Sequence, residues 1–218
     1  MAWSDPGDFT SGQILTAAQM DSIREAMFFG QGTFANEAAR DTAFNASGAM
    51  SPITLQEGMR TYLTAATVPA ATGGSTAVPT GVTTVYNGSV WVCVTPVSAR
   101  TNDTGTRATN SYGALTGGGT NPSVTLVTGT TALVDISNAS FNSGANATAM
   151  SVEVSGATTL AGSDDNNMDH ALSAGISMGK RIILTGLTAG TNTFTLVYKA
   201  GAGTGSFLRR GITVVGIA

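Results

Sequence analysis

Residues 181 to 217 constrain this chain more than any other stretch. They run as Arg181-Ile-Ile-Leu-Thr185, a turn containing Gly186 and Gly190, Thr193-Phe-Thr-Leu-Val-Tyr198, a second turn Gly201-Ala-Gly-Thr-Gly205, and a long apolar segment from Phe207 to Ile217. In the middle segment Phe194, Leu196 and Tyr198 fall on one side, and Thr193, Thr195 and Val197 on the other. A period of two is the signature of a strand with one face buried, and the Thr face is left for water or a neighbour. Similar short segments recur upstream, separated by Gly117-Gly-Gly119, Gly129 and the Asn142 to Asn146 stretch. They predict strands over 109–115, 123–127, 131–136, 150–154, 180–185, 193–198 and 207–217. Strands at this spacing indicate a sandwich or jelly roll. The expected fold is mainly β, with a β-sandwich or jelly roll over 100–218 and Tyr112, Phe194, Tyr198 and Phe207 in its core.

Ahead of it stands a small N-terminal part with one good helix. Thr16 is the N-cap and Gln19 completes a capping box. Ile14, Met20, Ile23 and Met27 form an apolar stripe at helical spacing, and Gly30 suits the position just past the end. A helix this short is marginal alone in water, so its stripe needs a docking surface. That surface is either this chain's own sandwich, an oligomer axis or a host particle. A second short helix is expected over 35–44, a break at Ser51-Pro52 and a strand over 58–64. Residues 65–81 are rich in Ala, Thr, Gly and Pro, carry no charge and read as a linker. Residues 82–94 read as a β-hairpin, with Asn87-Gly88 as a type I′ turn. Residues 98–106 read as a polar joint. The implied division is an anchoring segment over 1–64, linker plus hairpin over 65–99, and the sandwich over 100–218.

Composition narrows the function classes. Charged residues make up only 11% of the 218, against roughly 25% in an ordinary soluble domain. Lys180 and Lys199 are the only lysines, and Arg107 is the one charged side chain between residues 104 and 134. A surface this poor in charge suits burial against other protein. The net charge is −3 and no basic stripe exists, which argues against nucleic-acid binding. No apolar run approaches the roughly 20 residues of a membrane span, and the first residues lack the basic and apolar regions of a secretory signal. Cys93, the single cysteine, sits in a strand pattern and reads as a buried, inert thiol.

The motifs that could carry chemistry are weak. Asp164-Asp-Asn-Asn-Met-Asp-His170 is the one acidic cluster, and Asp165, Asn167 and Asp169 have the alternate spacing of a calcium loop. His170 stands where that loop needs Gly, and Ile176 where it needs Glu, so a solvated loop is the better reading. No G-x-S-x-G elbow accompanies His170, the sole histidine. Gly201–Gly205 precedes a strand, whereas a phosphate cradle opens a helix. Neither an enzyme nor a cofactor is expected.

Trp3, then Phe9-Thr-Ser-Gly-Gln-Ile-Leu-Thr-Ala-Ala-Gln-Met20 and Ile23-Arg-Glu25, resembles the opening of many tailed-phage virion proteins, which step from a Trp through "G-x-[ILV]-[LV]-T-A-A" into a short helix. Ala39-Arg-Asp41, Glu57-Gly-Met-Arg-Thr-Tyr-Leu-Thr64 and Val85-Tyr-Asn-Gly-Ser-Val-Trp91 look like a second phage module, departing from it in the insertion at 65–81. Segments from Ser111-Tyr112 to Arg209-Arg-Gly-Ile-Thr-Val214 resemble the jelly-roll ends of phage fibre and decoration proteins. The resemblance implies a homotrimer on the virion surface, assembled in the host cytoplasm and in contact with the major capsid protein or another virion protein. The short apolar runs predict no membrane insertion. Trp3, Phe9, Ile14, Met20, Ile23 and Met27 would anchor it. The alternative is a tail or collar fibre whose jelly roll binds a host-surface glycan, with Asp164, Asp165, Asn167 and Asp169 in a distal ligand loop. A depolymerase would need paired carboxylates facing a cleft, and only that one loop could supply them.

Overall fold

The computed structural model describes residues 32–45, 47–48, 50, 54–144 and 146–218. The predicted first helix and the anchoring residues Trp3, Phe9, Ile14, Met20, Ile23 and Met27 lie outside the described residues. The described chain is mainly β, in agreement with the strand periodicity.

The N-terminal module is a four-stranded sheet in the order β1 (Gly32–Phe34), β2 (Arg60–Leu63), β5 (Val82–Tyr86), β6 (Trp91–Cys93). One helix, α1 (Glu37–Ala43), packs beside it. Asn36 starts α1 because its side chain accepts the Ala39 N–H at 3.0 Å. The Glu37 carboxylate accepts the N–H groups of Thr67 and Val68 and the Thr67 hydroxyl, tying the helix to the following segment. Arg40 is buried, stacks 4.8 Å over the Trp91 ring and reaches Asp41. Phe44 sits between Phe34 and Trp91. The predicted hairpin is β5–β6, but Tyr86 pairs with Trp91, so four residues make the turn. Asn87 Oδ1 accepts the N–H groups of Ser89 and Val90, and only Gly88 has positive φ. The Asn side chain therefore builds the turn that two positive-φ residues were expected to build.

The rest is a sandwich. Its first sheet runs β13 (Ile176–Thr185), β10 (Thr131–Asn142), β15 (Gly205–Ile217), β7 (Val97–Thr101), β4 (Ser75–Ala77), with β8 (Gly105–Arg107) also on β15. Its second runs β12 (Met168–His170), β11 (Thr148–Gly156), β14 (Gly190–Ala200), β9 (Ser123–Thr128), β3 (Ala70–Thr72). Leaving aside β3, β4 and β8, the eight strands from β7 onward form two antiparallel quartets, β13-β10-β15-β7 and β12-β11-β14-β9, and every connection but β11–β12 crosses between the sheets. That connectivity is a jelly roll. Phe194, Tyr198 and Phe207 are fully buried between the sheets with Val134, Met150, Val152, Leu196 and Ile212.

Four expectations need correction. Residues 109–115 form no strand: Arg107 is buried and donates to the carbonyls of Ser111 and Ala114, holding them as a loop. Tyr112 consequently lies on the outside of β14, half-buried, and not in the core. The 98–106 joint contains most of β7, which pairs with β15. The 65–81 linker supplies an edge strand to each sheet, β3 on β9 and β4 on β7. These short Ala/Thr/Ser strands lack a period-two apolar signal because both of their faces are largely exposed.

The two parts share a core. Leu63, Val82 and Cys93 belong to the same buried cluster as Val97, Leu126 and Val214. Contact is close because Gly216 and Gly129 face β6 and its turn: a Cβ on Gly216 would lie 2.7 Å from the Cys93 carbonyl oxygen, and one on Gly129 would lie 2.9 Å from Asn87 Nδ2. The opposite end of the jelly roll, beyond Asn142, Thr148, His170 and Ala200, faces away from the N-terminal module.

Candidate functional site

The acidic loop lies at that far end, on the outside of the five-stranded sheet. After β11 the chain doubles back through the Val154–Leu160 bridge and climbs over β14. Gly162 lets it pass, since a Cβ there would lie 2.5 Å from Val197 and 3.2 Å from Tyr112. The fully buried Ser151 pins the climb: its hydroxyl lies 3.0 Å from the Ser163 carbonyl, 3.2 Å from that of Asn166, and accepts the Ser163 N–H.

Asp164 is the loop's most engaged residue. Its Oδ1 accepts from the Tyr112 hydroxyl at 2.7 Å and from Lys199 Nζ at 2.5 Å. The Lys199 ammonium also sits 4.8 Å from the Tyr112 ring centroid. The Lys199 and Tyr112 hydrogen bonds hold the Asp164 carboxyl below its usual range. Burial, together with Asp164, pushes the Tyr112 phenol up, so it stays a neutral donor. Lys180 donates to the backbone carbonyl of Asn167 at 2.6 Å. Both lysines of the chain therefore converge on residues 164–167, from β14 and from β13. The sequence marks the acidic cluster but not these partners, because Lys180 and Lys199 are brought in by strand pairing.

The calcium-like spacing is not used as such. Asp165 is exposed, Asn167 bends back toward Asp164 at 3.3 Å, and Asp169 is an exposed strand residue on β12. Among the described residues no group of three or more His, Cys, Asp or Glu side chains is close enough to hold a metal.

His170 turns inward. Its Nε2 lies 2.7 Å from Ser140 Oγ. Asn138, Ser140, Asn142 and Thr148 are all buried at this end of the sandwich. Asn142 Nδ2, Thr148 Oγ1 and His170 Nδ1 have no hydrogen-bond partner from the described residues. Burial lowers the His170 pKa, while Asp169 works the other way. A serine beside a histidine suggests a nucleophile, but Ser140 is 1% exposed, so no substrate carbonyl can reach it. The group is a polar plug between the sheets.

Another buried charge, besides Arg40 and Arg107, has no signal in the sequence. Arg210 is fully enclosed, donates to the Asp103 carboxylate and backbone carbonyl, and lies over the Tyr198 ring. Asp103 also accepts from the Thr101 hydroxyl and the Thr120 N–H, and these bonds with Arg210 outweigh burial and hold its carboxyl low.

No family model matches the chain, and no curated protein matches it. Among solved structures it is similar to the Eiger TNF from S. frugiperda, at 12% identity and a TM-score of 0.35, over 53% of this chain and 85% of that one. It is also similar to the CBM22-1 xylan-binding domain from Paenibacillus barcinonensis Xyn10C, at 11% identity and a TM-score of 0.29, over 52% and 88%. An Arthrobacter globiformis isomalto-dextranase matches at 15% identity and a TM-score of 0.29, over 54% of this chain but 22% of its own.

Proposed function

We propose that this chain is a structural protein of a phage virion, decorating or cementing the capsid surface as a homotrimer. The observation that carries the reading is the outer face of the six-stranded sheet. Ile183, Leu133 and Val215 lie in register across β13, β10 and β15, with Ile217 diagonal to them on β15. Ile183 is 62% exposed and Ile217 43%. An apolar row across three strands of one subunit is the kind of surface that a second protein covers. The edge beside it supports the same reading. β13 is ten residues long, whereas the other sandwich edges, β4, β12 and β3, are three each. A long open edge next to an apolar row invites association, and closed symmetry would use it once per subunit. The resemblance of the N-terminal segment to virion proteins supplies the setting, and its apolar stripe the anchor.

The test is copy number per purified particle, by quantitative mass spectrometry against the major capsid protein. Hundreds of copies near a simple ratio to capsid subunits are expected. Absence from the particle would sink the proposal.

A second reading, a tail or collar fibre binding a host-surface glycan, is favoured by the exposed Asp165 and Asp169 at the end away from the N-terminal module. It expects a handful of copies, in multiples of three or six. It also expects loss of host adsorption, with particles intact, in the Asp165→Ala, Asp169→Ala double variant.

A further inference from the structure

Two rows along from the apolar strip, the same sheet face changes character. Gly179, Ser137, Gly211 and Arg100 lie in register across β13, β10, β15 and β7. Together with the neighbouring Asp135, Arg181 and Thr213 they line an open trough of about 490 Å³. Its floor is bare peptide. Glycine inside a strand weakens it, and where it persists it often marks the close approach of a ligand or another backbone. Gly211 has an internal reason: a Cβ there would lie 2.9 Å from Ser137 Oγ and 3.3 Å from Arg100 Cγ, so its absence lets the Arg100 stem lie flat over the strand. Gly179 has none. Its φ is not positive, and a Cβ would meet nothing nearer than the Ile136 carbonyl oxygen at 3.6 Å, an ordinary contact. Among the described residues nothing requires a glycine at that position, and its lack of a side chain leaves the floor open to a ligand.

The walls indicate what approaches. Arg100 and Arg181 stand in the trough against one carboxylate, Asp135, on a chain whose net charge is −3, while the Lys180 ammonium is held at the Asn167 carbonyl. Asp135 grips Arg181 through two hydrogen bonds, 2.7 and 2.9 Å, which fixes that guanidinium beside the floor. Arg100 is exposed and, among the described residues, has no ion pair. The remaining groups are hydroxyls, Ser137 and Thr213, the latter 2.8 Å from Ser98. No aromatic ring lines it. A guanidinium with free N–H donors suits a planar carboxylate or a sulfate, and hydroxyls with exposed peptide suit a polyol.

We propose that this trough binds an acidic saccharide, a uronate- or sulfate-bearing glycan, with its anionic group on Arg100 and a sugar ring lying over Gly179 and Ser137. The proposal does not depend on where the protein sits on a particle. The volume of the trough falls within the range of roughly 300–1,000 Å³ that small-molecule sites occupy.

The test is calorimetric titration of the full chain with three probes: trigalacturonate, a heparin-derived tetrasaccharide and neutral maltotriose. Saturable binding of one or both acidic probes, and none of maltotriose, is expected. The preferred probe tells carboxylate from sulfate. Gly179→Thr places a branched side chain on the floor and should abolish binding without lowering the melting temperature. Arg100→Gln should weaken binding roughly tenfold. Equal binding of maltotriose, no saturable binding of any probe, or unchanged binding by Gly179→Thr would overturn the proposal. So would a Gly179→Thr variant that changes only the sedimentation coefficient, which would make the trough a contact between copies of this chain.

Discussion

At the residue scale, Arg209 adopts φ +48, and that one residue re-phases β15. Ahead of it Phe207 faces the interior; after it Arg210, Ile212 and Val214 do. The register against β10 slips at the same place, between Ser137 and Ala139. A bulge of this kind spends an unfavourable backbone conformation to re-aim a side chain. Here the re-aimed side chain is Arg210. Two adjacent arginines in an apolar run are visible in the sequence; which one turns inward is not, because the bulge is set by pairing with β10. His170 is a similar case. Half-buried beside Ser140, its ring loses hydration that would favour the charged form, so its folded pKa lies below the ordinary 6.5. The unfolded chain then binds the proton first as pH falls, and stability drops through that window. The melting temperature should fall between about pH 7 and pH 5, a range in which no ordinary carboxylate titrates fully. His170→Gln should flatten that slope and leave the separate loss below about pH 4, where carboxylates with lowered pKa such as Asp164 and Asp103 become protonated. Thermal melts of the two proteins across pH check it, and an unchanged slope in the variant would assign the effect elsewhere.

At the scale of elements, the long strands were legible and the short ones were not. β10, β11, β13, β14 and β15 each carry a run of alternating apolar residues long enough to show its period. β3, β4, β8 and β12 are three residues each and exist because a longer strand offers them an open edge. α1 falls inside the expected helix over 35–44, and the structure adds the Asn36 cap that starts it. The union of the two parts rests on elements meeting at a glycine. In Gly216→Val the new side chain would press on the Cys93 carbonyl and the Val92 side chain, both 2.7 Å from its Cβ. Overpacking of this sort costs about 1–3 kcal/mol, which for a chain of this size is a fall of roughly 2–4 °C in melting temperature per kcal/mol. Differential scanning calorimetry should show that fall. A melting temperature equal to that of the unaltered protein would mean that the close approach contributes nothing.

At the scale of the whole molecule, the six-stranded sheet presents two unlike surfaces on one face, an apolar row and a glycine-floored trough holding Arg100 and the Arg181–Asp135 pair. The first bears on assembly. Ile183 is 62% exposed, so Ile183→Glu should change the stability of the isolated subunit by no more than about 0.5 kcal/mol. In the proposed trimer it would place a carboxylate in an apolar contact. Sedimentation velocity should show trimer for the unaltered chain and monomer for the variant. A variant that remains trimeric would remove this row from the interface.

The sequence by itself determined the class of fold, since period-two apolar runs broken by Gly and Asn turns leave a sandwich as the way to bury them. It also determined the poverty of charge and the place of the acidic loop. Only tertiary structure decided that Lys180 and Lys199 meet that loop, that a uniform-looking strand carries an inward arginine, and that Gly179 and Gly211 stand in one row with Arg100. The physical reason is the same in each case. Period and turn chemistry are local, whereas register between strands distant in sequence decides which side chains become neighbours.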